Sequence, residues 1–129
     1  MSDLNFKLQL AGPRTTTFTP IAPVQAIRVM DQGIRMIAEI VDGDGAAVNI
    51  RTATIKTMRL MLPDGTTDDV MGTLFTNGAD GKMYFVSSAI VPPFNQIGKW
   101  LLQARVVIGG ISQSTKTIAF VVEPNIDSN

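Results

Sequence analysis

Gly109 and Gly110 stand side by side between two apolar, alternating runs, Trp100–Ile108 and Thr115–Val122. A Gly-Gly pair supplies the positive φ angles that a two-residue hairpin turn requires, so this segment predicts a β-hairpin. Its inward positions are Trp100, Leu102, Ala104, Val106 and Ile108 on the first strand and Ile118, Phe120 and Val122 on the second. Similar punctuation recurs at Asp42-Gly43, Asp44-Gly45, Asp64-Gly65, Asn77-Gly78 and Asp80-Gly81. No segment shows the 3.6-residue apolar period of an amphipathic helix. The chain therefore reads as a small antiparallel β protein.

Between these turns the apolar residues alternate. Leu4, Phe6, Leu8 and Leu10 oppose Asn5, Lys7 and Gln9, which predicts a first strand with one wet face. From Ile34, the residues Ile34, Met36, Ala38 and Ile40 share one side, and Arg35, Ile37, Glu39 and Val41 the other. Val48 to Ala53 reads as an extended link. Ile55 to Leu62 follows with Met58, Leu60 and Leu62 inward, and is stopped by Pro63-Asp64-Gly65. Val70 to Thr76 and Met83 to Ser87 form a second hairpin around Asn77–Gly81. Pro92-Pro93 excludes a central strand there, and Ala89 to Gln96 reads as a loop or a single helical turn. About seven strands at this turn spacing are typical of a β-sandwich, which lets two sheets share one dry interior.

The stretch from Ala11 to Ala26 breaks the pattern. Gly12, Pro13, Pro20 and Pro23 lie in a threonine-rich run that is longer than an ordinary connection of about 4–6 residues. The expected organisation is residues 1–33 as a first strand and an extended arm, 34–124 as the sandwich and 125–129 as a tail, all within a single domain.

Composition narrows the function. Among 129 residues there is no histidine and no cysteine, which removes the usual proton shuttle, the thiol nucleophile and the common transition-metal ligands. Eleven Lys plus Arg balance eleven Asp plus Glu, scattered along the sequence, so nucleic acid and anionic membranes are not expected partners. No apolar run approaches the ~20 residues of a membrane-spanning helix, and the start lacks a secretory pattern, so synthesis in the cytoplasm is expected.

Asp42-Gly43-Asp44-Gly45 sets carboxylates at alternate positions as a calcium loop does, yet positions 46 to 56 hold no acid to complete one, which favours a turn. Asp64, Asp68, Asp69 and Asp80 read as solvated loop acids. Serines lack a histidine base and no Gly-x-Ser-x-Gly elbow exists. Neither an enzyme nor a cofactor site is expected.

What remains is contact. Mean hydropathy slightly above zero suits apolar surface covered by a partner. The arm carries Phe18, Pro20, Ile21, Pro23 and Val24 on a backbone kept from regular folding, suited to lie along a neighbouring subunit or along its own domain. Most of the seven methionines read as core. Met61 and Met71 are the exceptions, because their neighbours are polar or small, and they join the arm residues as candidate partner contacts. Trp100 and Tyr84 define an alternative, a carbohydrate-binding module, although Trp100 falls at an inward position.

Taken together, the strand from Ile34, the turn Asp42–Gly45 and the segments Thr54–Gly65, Asp80–Tyr84 and Gly98–Ala104 give Ile34–Val122 a resemblance to a known family. This stretch resembles the immunoglobulin-like N-terminal domain of the phage baseplate upper protein family. The resemblance implies an immunoglobulin-like sandwich and a non-enzymatic structural component of a phage virion, bound to other virion proteins and to copies of itself. The sequence runs only briefly past Glu123-Pro124, where that family continues. Capsid decoration, neck or collar, tail and baseplate positions are therefore all expected to suit it.

Overall fold

The structure, a computed structural model, describes residues 3–10, 27–88 and 94–124. Ten strands are present and, among these residues, no helix: β1 (Asp3–Gln9), β2 (Ile27–Arg28), β3 (Arg35–Val41), β4 (Ile55–Met61), β5 (Thr67–Met71), β6 (Thr73–Leu74), β7 (Lys82–Val86), β8 (Gly98–Ile108), β9 (Ile111–Ser114) and β10 (Ile118–Glu123). They form two sheets, one ordered β1-β3-β7-β6 and the other β2-β10-β8-β4-β5, with β9 also paired to β8. With β9 and β10 taken as one interrupted strand, these are the two sheet orders of an immunoglobulin-like sandwich. The sandwich takes in strands from both sides of position 34.

The count exceeds the seven expected because β2 is additional, because the expected strand Val70–Thr76 is divided between β5 in one sheet and β6 in the other, and because the last strand is broken. Arg105 faces Ser114 and Leu102 faces Ile118, so four steps on one strand match three on the other. That one-residue excess is a β-bulge between β9 and β10. Thr115 fills it, its N–H bonding Ala104 O and its Oγ1 accepting the Ala104 N–H, both at 2.9 Å. The hairpin turn itself is as read: Gly109 and Gly110 take φ of 58° and 80°.

Pairing is not antiparallel throughout. β1 lies parallel to β3 and β2 parallel to β10. A parallel neighbour needs a return connection of a dozen or more residues, and residues 10–34 supply it. At its far end β1 joins the two sheets: Leu10 N–H donates to Val41 O at 2.9 Å on β3, while Leu10 also bridges Thr115 and Lys116 N–H donates to Gln9 O at 2.8 Å.

The inward faces are those expected, with Phe6, Leu8, Met36, Ile40, Met58, Leu60, Met83, Trp100, Leu102 and Val106 fully buried. An aromatic cluster joins the sheets: the ring of Phe120 lies 5.6 Å from Phe6, and 6.0 Å from both Phe94 and Trp100. On the side that carries Arg35 and Glu39, Ile37 and Val41 are buried as well, being 3 % and 0 % exposed. β3 is central in its sheet, and Ile37 lines a shallow groove together with Lys7, Glu39 and Lys82, whose long side chains shield it.

Candidate functional site

Alternation that buries one set of side chains presents the other. On the outer face of the second sheet, Met61 lies opposite Thr67 on β5 and Leu101 on β8, and Leu101 opposite Ala119 on β10, so a largely apolar row crosses four strands. Beside it Met71 lies opposite Thr57. Met71 is 81 % exposed, Val121 51 %, and Met61 and Ile55 41 % each. A shallow cavity of about 340 Å³ lies along β4 and β5, with Ile55, Val70 and Met71 in its lining.

One ion pair interrupts this face. Arg59 donates from Nε and Nη2 to the two carboxylate oxygens of Asp69, at 2.7 and 3.0 Å. Those bonds hold the Asp69 carboxyl below the usual carboxylate range. Both side chains are about half exposed, so the pair adds less than about 1 kcal/mol to stability. Arg105 on β8 stands on the same face, opposite Thr57 and near enough to Asp69 to act on its carboxyl, so the face keeps a cation beside the pair.

The outer face of the first sheet has another chemistry. Arg35 pairs with Asp3 at 2.6 Å, and its guanidinium sits 5.0 Å from the Phe75 ring centre and 5.7 Å from that of Tyr84. Lys82 lies 5.7 Å from the same Phe75 ring. Glu39 stands in register between Lys7 and Lys82. Here charges are matched across strands, and the ring of Phe75 is already occupied by cations.

The acids do not converge. Asp42 accepts the N–H groups of Asp44 and Ala46 at 2.9 and 3.0 Å, which makes it the cap of its own turn. Asp64 is held by Thr66 and Gln96, and Asp80 by Thr76 and Lys82. Among the described residues no three potential metal ligands come together. Trp100 is 0 % exposed, with its indole N–H bonded to Gln96 O, so it offers no ring to a sugar.

Of the candidate contact residues, Met61 and Met71 both point outward on this second sheet. Phe18, Pro20, Ile21, Pro23 and Val24 lie outside the described residues. The edge strand β5 is not legible in the sequence: Asp68 and Asp69 carry no apolar signal, and alternation starts only at Val70, whereas the strand begins at Thr67.

The strand order thus defines the class, an immunoglobulin-like β-sandwich, whose second sheet exposes Ile55, Met61, Met71 and Val121 on its outer face. No family model matches the sequence, and no curated protein does either. Among solved structures, the N-terminal domain of phage TP901-1 ORF48 is similar, with a TM-score of 0.59 and 17% sequence identity. The match spans 95% of this chain and 99% of that one. At this identity the likeness is one of fold.

Proposed function

We propose that the chain is a non-enzymatic structural protein of a phage virion that acts through protein–protein contacts. The observation that carries this reading is the end-to-end likeness to a domain of a phage protein, in which neither chain has an appreciable part left over. Two features support it. The outer face of the second sheet presents Met61, Met71, Ile55 and Val121 to solvent, an apolar surface of the kind that interfaces cover. Asp42, Asp64 and Asp80 are engaged within their turns and Asp3 and Asp69 in ion pairs, and among the described residues no three acids come together.

The experiment uses the double variant Met61→Ser, Met71→Ser. Outward substitutions of this kind shift stability by no more than about 0.5 kcal/mol each, so the variant folds. Phage produced with it as the only copy are purified and the protein is quantified by mass spectrometry against a capsid protein. The expected result is wild-type protein in purified particles and a loss of the variant by about tenfold, equivalent to ~1.4 kcal/mol of binding. Wild-type protein absent from particles, or a variant incorporated in full, rejects the role.

A further inference from the structure

Resting on that assembly role, we propose that the open edge of β5 accepts an extended segment of another particle protein, added as a strand and carrying a lysine or arginine. β5 ends its sheet and, among the described residues, pairs only with β4. Gly72 N–H donates to Lys56 O and Leu62 N–H to Thr66 O, both at 2.8 Å, which fixes the pattern of the ladder. Bonded and non-bonded pairs alternate along antiparallel strands. Asp68 and Val70 therefore direct their main-chain groups at β4, and Thr67, Asp69 and Met71 direct theirs outward. These outward groups repeat about every 6.8 Å, the spacing an added strand matches.

The side chains decide which strand fits. Asp68 and Asp69 stand consecutively on this edge, both exposed. Arg59 neutralises Asp69, and the Asp68 side chain forms no hydrogen bond or ion pair among the described residues. A second β5 is a poor partner, because antiparallel self-pairing brings the acids of one copy against those of the other. Charges on an edge guard against such self-association. A cation on the incoming strand turns the same charge into attraction, and thereby selects a foreign strand over a copy. Beside the edge, the cavity lined by Ile55, Val70 and Met71 receives an apolar side chain of that strand.

The test is NMR on the isotope-labelled full chain with a blocked peptide about ten residues long, alternating Val and Thr with one central Lys, and its Lys→Glu counterpart. The Lys peptide is expected to shift the amide signals of Thr67, Asp69 and Met71 saturably and to slow their solvent exchange. The Glu peptide is expected to bind about tenfold more weakly or less. Thr67→Pro removes an outward N–H while leaving the bonds to β4, and is expected to weaken binding by a similar factor with β4 amides still protected. Equal binding of both peptides, no binding, or shifts elsewhere overturns the proposal. So does protection of the three amides in the dilute chain alone, which shows the edge already covered by its own residues, or protection gained on concentration, which shows a second copy there. If the peptide result fails while the Met61/Met71 variant is still lost from particles, the edge is refuted and the assembly role stands. If the wild-type protein is absent from particles, the role falls whatever the peptide does.

Discussion

The indole N–H of Trp100 donates to the main-chain oxygen of Gln96 at 3.0 Å. Gln96 in turn grips the turn between β4 and β5, its Oε1 accepting the Asp64 N–H at 3.2 Å and its Nε2 donating to Asp64 Oδ2 at 2.9 Å. The largest core side chain is thus tied through one residue to a surface turn. Trp100→Phe removes ring volume and leaves the Gln96 carbonyl without its donor, at an expected cost of about 2–4 kcal/mol. Urea unfolding checks this as a lower midpoint with an unchanged slope.

Gly78 and Gly65 form a natural pair of controls. Both have left-handed φ, 90° and 89°, yet a Cβ at Gly65 meets nothing within 4 Å. At Gly78 it falls 2.6 Å from Arg51 Cα and 2.7 Å from Arg51 N, backbone that cannot swing aside. Gly65→Ala is expected to cost about 1–2 kcal/mol, the penalty of the conformation alone. Gly78→Ala adds the collision and is expected to cost about 2–4 kcal/mol. Equal losses in a thermal denaturation series remove the contact between the Asn77-Gly78 turn and the β3–β4 loop from the account.

Thr115 is the pin of the bulge. Its hydroxyl accepts the Ala104 N–H and donates to Lys116 O at 3.0 Å, so the side chain completes the ladder where the strand is broken. Thr115→Val keeps the shape but strands a buried N–H, at about 1–3 kcal/mol, whereas Thr115→Ser retains the bonds and stays within about 1 kcal/mol. Chemical denaturation of the two variants separates hydrogen bonding from packing.

Period-two alternation carried most of the core, since a one-residue slip in Leu4–Leu10, Ile55–Leu62 or Trp100–Ile108 would turn every apolar side chain to water. It does not reveal that Ile37 and Val41 are buried beside Arg35 and Glu39, because that depends on β3 being flanked on both sides. Phe94, fully buried against Trp100, was hidden behind Pro92-Pro93. The parallel ladders and the bulge escaped because turn dipeptides report only adjacent strands. The outward methionines were legible from their small and polar neighbours. The open edge of β5 was not, since sheet order alone decides which main-chain groups lack a partner.

Acid should weaken the fold through identifiable groups. Hydrogen bonds from Thr66 and then Gln96 hold the Asp64 carboxyl below its usual value of 3.8, and Arg59 does the same for Asp69. A carboxyl whose folded value is depressed contributes fully above its unfolded value and loses that contribution as pH falls through the folded one. The melting temperature is therefore expected to be insensitive to these groups between about pH 5 and 7 and to fall below about pH 4. Asp64→Asn is expected to make that acid limb shallower. An equally steep limb in the variant assigns the effect to other carboxyls.

The tie between Gln9 and Lys116 also sets an order of events during synthesis. β1 emerges early, but its parallel partner follows only after a long connection, and the residues that clasp its far end come later still. A nascent chain must therefore carry Leu4, Phe6 and Leu8 unsheltered until the last hairpin is made. Such distant pairing slows folding and exposes apolar strand to aggregation. Yield is then limited by the time between the two halves of that clasp, and holdase chaperones or slower growth should raise it.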